Sequence, residues 1–70
     1  MTVDRAFYVR DEGNGTYTAF VIKKGFAANV SLAHALRFIR ENTGRKSGPV
    51  DCFNAISRKW DSEFDLREGL

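Results

Sequence analysis

The sequence predicts an α+β fold, an antiparallel β-hairpin or three-stranded meander packed against one or two helices. Three observations lead there. Residues 6–10 and 16–23 are rich in aromatic, β-branched and Thr residues and flank Asp11-Glu12-Gly13-Asn14-Gly15, whose Asn-Gly pair suits the positive φ angles of a tight turn. The stretch after Ser31 carries apolar residues at helical spacing. A third apolar set, Phe53, Ile56 and Trp60, recurs at i, i+3, i+7 after Pro49.

The hairpin spans about residues 6–23. With Asn14-Gly15 as its two turn residues, Val9 lies opposite Phe20 and Phe7 opposite Ile22, and the two-residue period gathers those four on the core face. The other face then carries Tyr8, Arg10, Tyr17, Ala19, Val21 and Lys23. A four-residue loop preserves this split, whereas an odd loop with a bulge disturbs it. Gly25 marks the next turn, with Phe26 to Asn29 as a short third strand. Ser31 caps a helix over about residues 32–42, stopped by Thr43-Gly44. Leu32, Ala35, Leu36 and Ile39 share its apolar side with Phe38 at the margin, and His34, Arg37, Arg40 and Glu41 face away. Arg45 to Pro49 reads as a loop. A second helix is expected over about residues 50–61, started by Pro49 or by Asp51 as cap. The tail, residues 61–70, is acidic, and Glu63 to Arg67 alternates like a short edge strand.

Seventy residues supply one domain, 1–70, with one thin core built from few but large side chains: six Phe, two Tyr and one Trp. The longest apolar run, Ala19 to Ile22, is far short of the ~20 residues that span a bilayer, and the N-terminus lacks the basic-then-apolar layout of a signal peptide. A cytoplasmic location is the expectation, which the single Cys52, unable to form an internal disulfide, also fits. Net charge is +2 but unevenly spread. Residues 20–60 carry eight Lys and Arg against Glu41 and Asp51, and residues 61–70 carry four acidic residues against Arg67. A basic middle suits phosphate or an acidic protein face, and an acidic tail suits a basic groove.

One His and one Cys leave the nucleophile-plus-base and metal-cluster signatures nearly empty. His34 reads as a solvated helix residue and Cys52 as a small buried hydrophobe. Asp61-x-Glu63-x-Asp65 has the opening spacing of a calcium loop, but Leu66 stands where that loop needs Gly. Gly13-Asn14-Gly15 lacks the Lys-Ser/Thr ending of a phosphate loop. No enzyme, cofactor or metal is therefore expected. What remains is a surface constellation. Tyr8 and Tyr17 with Arg10 and Lys23 combine flat aromatic area with cationic donors, a mixture found in protein interfaces and on nucleic-acid platforms. Against it stands a structural role for both tyrosines beneath a covering helix. Trp60 reads as a core anchor of the second helix in preference to an interface residue.

Gly15-Thr16-Tyr17-Thr18-Ala19-Phe20-Val21, then Lys24-Gly25-Phe26, Ser31 and the amphipathic helix, resemble over residues 6–42 the small N-terminal DNA-binding domains of phage-type integrases. That resemblance implies three strands followed by a helix, a sheet that enters the major groove, and base or phosphate contacts from Arg10, Tyr17, Lys23 and Lys24. In size and architecture the chain is also similar to the short α+β proteins of phages that inhibit a host machine by sitting on it, anti-CRISPR proteins among them. The leading expectation is accordingly a non-enzymatic inhibitor or adaptor that occludes a surface of a larger protein or protein–nucleic-acid assembly. Its contact residues are Tyr8, Arg10, Tyr17, Lys23, Lys24, Arg37 and Arg40. The alternative is a sequence-tolerant DNA-binding module using the sheet face. Homodimerisation through strand edges or helix faces is compatible with a domain this small.

Overall fold

The computed structural model describes residues 5–68, so residues 1–4 and the last two positions of the 61–70 tail lie outside the described residues. The chain runs β1 (Phe7–Asp11), β2 (Tyr17–Val21), β3 (Gly25–Val30), α1 (Leu32–Thr43), β4 (Pro49–Asn54) and β5 (Lys59–Asp65). The strands form one mixed sheet in the order β3-β2-β1-β4-β5. Neighbours are antiparallel except β1 and β4, which pair in parallel because α1 carries the chain across the sheet between β3 and β4. The α+β class holds, and the described residues carry one helix; the sheet, however, has five strands in place of a hairpin or three-stranded meander.

The first half follows its local signals. Ser31 is extended (φ −66°, ψ 160°) and its side chain accepts a hydrogen bond from the His34 N–H, closing the first turn of α1. Gly44 adopts the left-handed conformation (φ 74°) and donates its N–H to the Arg40 carbonyl, which ends the helix. Ala35, Leu36 and Ile39 are fully buried under α1, with Leu32 and Phe38 packed at its margin. The third strand is present and one residue longer at each end than Phe26 to Asn29.

The expected second helix is absent; residues 49–65 form the β4–β5 hairpin instead. Three apolar positions at i, i+3, i+7 do not outweigh the turn chemistry between them. The Asn54 carboxamide accepts the N–H groups of Ile56 and Ser57 at 2.9 and 3.0 Å, and Arg58 takes a left-handed φ of 60° that an α-helix does not admit. Ile56 is 75% exposed, far from a helical core position. The alternating tail does become strand as far as Asp65, after which Leu66 turns into the core with no exposure. Its N–H donates to the Gly48 carbonyl and its own carbonyl accepts from the Arg40 guanidinium at 2.6 Å.

The hairpin of β1 and β2 is also present, with a different register from the expected one. Its loop is Glu12 to Thr16, five residues, so Phe7 pairs with Val21, Val9 with Ala19 and Asp11 with Tyr17. An odd loop shifts β2 by one position and exchanges its faces. Positive φ falls on Gly13 and Gly15, not Asn14, whose carboxamide accepts from the Thr16 N–H and hydroxyl. Val9 therefore lies in the core as expected, and Ala19 and Val21 join it in place of Phe20 and Ile22.

The row across the middle of the helix-covered face is Ala27, Ala19, Val9, Cys52 and Ser62, all small. Small side chains there let α1 approach the sheet closely, and the large rings are left to the periphery or to the other face. The result is a slab of 30 × 26 × 19 Å, two layers thick. Among the described residues no helix is long and apolar enough to cross a membrane.

Candidate protein-docking face

With no second helix, nothing among the described residues covers the far side of the sheet, and each strand places one aromatic residue there. Phe26 of β3 pairs with Phe20 of β2, and Phe20 with Tyr8 of β1. Phe53 of β4 pairs with Trp60 of β5. The rings form one continuous layer. Tyr8 stacks on Phe20 with centroids 4.8 Å apart, Phe20 lies 6.0 Å from Phe26, and Trp60 meets Tyr8 at 5.2 Å and Phe53 at 5.0 Å edge to face.

A β-bulge makes the fifth member possible. Cys52 pairs with Ser62 and Phe53 with Trp60, so one extra residue sits in β5 between its two partners. Strict alternation would put Trp60 and Phe64 on the same side. The bulge sends Trp60 to the uncovered face and leaves Phe64 on the helix side, where it meets Tyr17 edge to face at 6.0 Å.

Two arginines border the layer, and each is already neutralised. The Arg5 guanidinium lies 3.9 Å from the Trp60 ring centre and donates to the Asp51 carboxylate at 2.6 Å. The Arg10 guanidinium lies 5.2 Å from the Phe20 ring centre and donates to Glu12 at 2.8 Å. Glu12 also accepts from the Thr18 hydroxyl, and Thr18 in turn accepts from the Asn29 N–H at 3.3 Å. Burial pushes the Glu12 carboxyl upward, but the hydrogen bonds from Thr18 and Arg10 outweigh it and hold the group below its ordinary value of 4.5.

The residues singled out from sequence divide among several places. Tyr8 and Arg10 lie on the uncovered face. Tyr17 does not; it sits on the helix side against Phe64 and the core, and burial, with Asp11 and Cys52 nearby, pushes its phenol up. Lys23 and Lys24 are exposed in the β2–β3 turn, Lys23 in a left-handed conformation (φ 71°). Arg37 is exposed on α1 beside Glu41 at 3.6 Å. Arg40 is tied to the Leu66 carbonyl, so it fastens the C-terminal segment. Since α1 covers the opposite side, Arg37 and Arg40 do not share a surface with Tyr8. A shallow depression at the end of α1, lined by Arg40, Glu41, Gly44, Arg45 and Lys46, belongs to that side too.

Phe20, Phe26, Phe53, Trp60 and Arg5 complete the face and were not singled out as a group. The signal for the first two was the loop length, because an odd count flips β2. Trp60 needed the bulge, which leaves no mark in composition. Cys52 is buried in the core and His34 is exposed on α1. No three His, Cys, Asp or Glu side chains converge among the described residues. Comparison of the chain with protein-family models, curated proteins and solved structures finds no match.

Proposed function

We propose that this chain is a non-enzymatic binding protein that modulates a larger protein, or a protein–nucleic-acid assembly, by laying the uncovered aromatic face of its sheet on a protein surface. The observation that carries the reading is the five-membered aromatic layer with its bordering arginines already paired. Tyr, Trp, Phe and Arg are the residues in which protein interfaces are enriched, and buried charge at an interface is tolerated when it is compensated.

The same geometry disfavours direct nucleic-acid binding through this face. A base-stacking platform needs free ring faces and unpaired cations. Here the Arg5 guanidinium covers Trp60, Tyr8 and Phe20 stack on one another, and both arginines are engaged by carboxylates.

The test is capture from a bacterial lysate on the immobilised chain, with Phe26→Ser and Trp60→Ser variants beside it. Oligonucleotide binding is followed by anisotropy at about 50 and about 200 mM salt, a span over which phosphate-driven affinity drops steeply. Discrete proteins held by the native chain and lost by both folded variants support the reading. Equal retention by the variants overturns the assignment of the face. Micromolar oligonucleotide binding that collapses at the higher salt transfers the function to DNA or RNA.

A further inference from the structure

We propose that Asn14 is a site of spontaneous covalent modification. Its side-chain amide closes onto the Gly15 backbone nitrogen, loses ammonia, and is opened by water to an aspartyl or isoaspartyl residue. The inference is independent of the docking reading and requires no enzyme or partner.

The chain has four asparagines, and Asn14 alone is followed by glycine; the others precede Val30, Thr43 and Ala55. Ring closure needs an unhindered backbone nitrogen next to the amide, because a side chain on the following residue obstructs the approach. The loop between β1 and β2 keeps that nitrogen available. Asn14 and Gly15 are both exposed, so water and hydroxide reach them. The place that a Cβ of Gly15 would take has no neighbouring atom within 4 Å. The N–H groups of Gly13 and Thr16 are engaged by the Asp11 and Asn14 side chains, whereas that of Gly15 makes no hydrogen bond among the described residues.

Thr16 holds the amide for attack. The Asn14 Oδ1 accepts from the Thr16 N–H at 3.2 Å and from the Thr16 hydroxyl at 2.6 Å. A backbone N–H can only donate, so the atom it meets is the amide oxygen, and the amide nitrogen is left without a partner among the described residues. Both consequences favour the reaction. Two donors on the oxygen draw electron density from Cγ and stabilise the oxyanion that forms there. The unengaged Nδ2 is free to take a proton from water and depart. The ring closed by the Thr16 N–H bond also contains Asn14 Cγ and Gly15 N, which keeps the two reacting atoms in one turn.

The step balances with water as the only co-reactant. Hydroxide removes the Gly15 N–H proton, the Gly15 N–Cγ bond forms, the Cγ–Nδ2 bond breaks, and ammonia leaves a five-membered succinimide. Water then opens one of its two carbonyls. Breaking the new bond gives the aspartyl form, and breaking the original peptide bond gives the isoaspartyl form; nothing is oxidised or reduced. Either product adds a carboxylate to a loop that already carries Glu12, the partner of Arg10. The charge beside this border of the aromatic layer therefore changes with the age of the chain.

The test is to incubate the purified chain at neutral and at mildly alkaline pH, folded and unfolded in urea, and to follow tryptic peptides by mass spectrometry. Asn14 lies in the peptide Asp11–Lys23, and each other asparagine lies in a different peptide. That peptide alone should gain about 1 Da and split into two chromatographic forms. Conversion should quicken as pH rises, and the folded chain should keep within about threefold of the urea rate, because the turn holds the reacting atoms together. Thr16→Val, checked for native circular dichroism, should slow conversion of the folded chain by about threefold to tenfold, the worth of one exposed hydrogen bond, and leave the urea rate unchanged. An Asn14 that stays intact in the folded chain while it converts in urea overturns the proposal. So does a folded Thr16→Val chain that converts as fast as the native one.

Discussion

Thr18 is a buried polar residue at 1% exposure on the face that the helix does not cover, and its hydroxyl joins three segments. It donates to Glu12 in the first loop and accepts from Asn29 at the bulge of β3. Thr18→Val should cost about 1–3 kcal/mol at neutral pH, since it strips partners from a part-buried carboxylate and a backbone N–H. The pH dependence follows from Glu12. Its folded-state pKa lies below 4.5, so the stabilisation is complete above that value and disappears as pH falls through the lowered pKa. Urea titrations at pH 7 and about pH 2.5 should therefore show a smaller penalty for Thr18→Val in acid. Gly13 makes a second test. Its φ is 86°, and a Cβ there would fall 2.6 Å from the Ile56 side chain. Ile56 is largely exposed and can move, so the left-handed backbone dominates, and Gly13→Ala should lower stability by about 1–2 kcal/mol.

The hairpin of β4 and β5 shows at the scale of an element why periodicity misled. Phe53, Ile56 and Trp60 match a helical face, yet Val50 and Cys52 against Phe53 also match the two faces of a strand. Six residues cannot decide between these, and what decides is non-local: β4 finds hydrogen-bond partners on β1, more than forty positions earlier in the chain. Arg58 reports the outcome. In a helix, Arg58→Gly would cost up to about 1 kcal/mol, whereas at a left-handed turn position it should be neutral or stabilising by a few tenths or more. Chemical unfolding distinguishes the signs. The bulge of β5 can be tested in the same way. Deleting Asp61 restores strict alternation and turns Trp60 toward the helix side, where the central row has room only for small residues. Gross destabilisation and a changed Trp60 emission are the expected result.

Considered whole, the described residues form one sheet with two apolar faces and a single helix that covers one of them. The covered face holds the fold and the other is available for contact, so substitutions on the two should separate. Tyr17→Ala, beneath the helix against Phe64, should lose about 3 kcal/mol, while Phe26→Ser, at a ring 64% exposed, should change stability by less than about 1 kcal/mol. Thermal or urea unfolding of the pair tests the assignment of faces without any partner. Equal penalties would mean that the aromatic layer is a second core and not a contact surface.

The local elements with strong end signals were legible in the sequence alone. Ser31 and Gly44 bound α1, Gly25 opens β3, and the hairpin around Glu12 to Thr16 is written in its glycines and asparagine. Tyr8 and Arg10 were rightly assigned to the face away from the core, because β1 keeps simple alternation. The partners that complete the face were decided by tertiary structure. One residue of loop length exchanged the faces of β2, one bulged residue in β5 exchanged the side of Trp60, and a parallel pairing with β1 made strands where helical spacing stood. Each of these turns on a shift of a single position. Side-chain direction in a strand reverses with every residue, so a reading that is correct to within one residue still leaves open which face a ring will take.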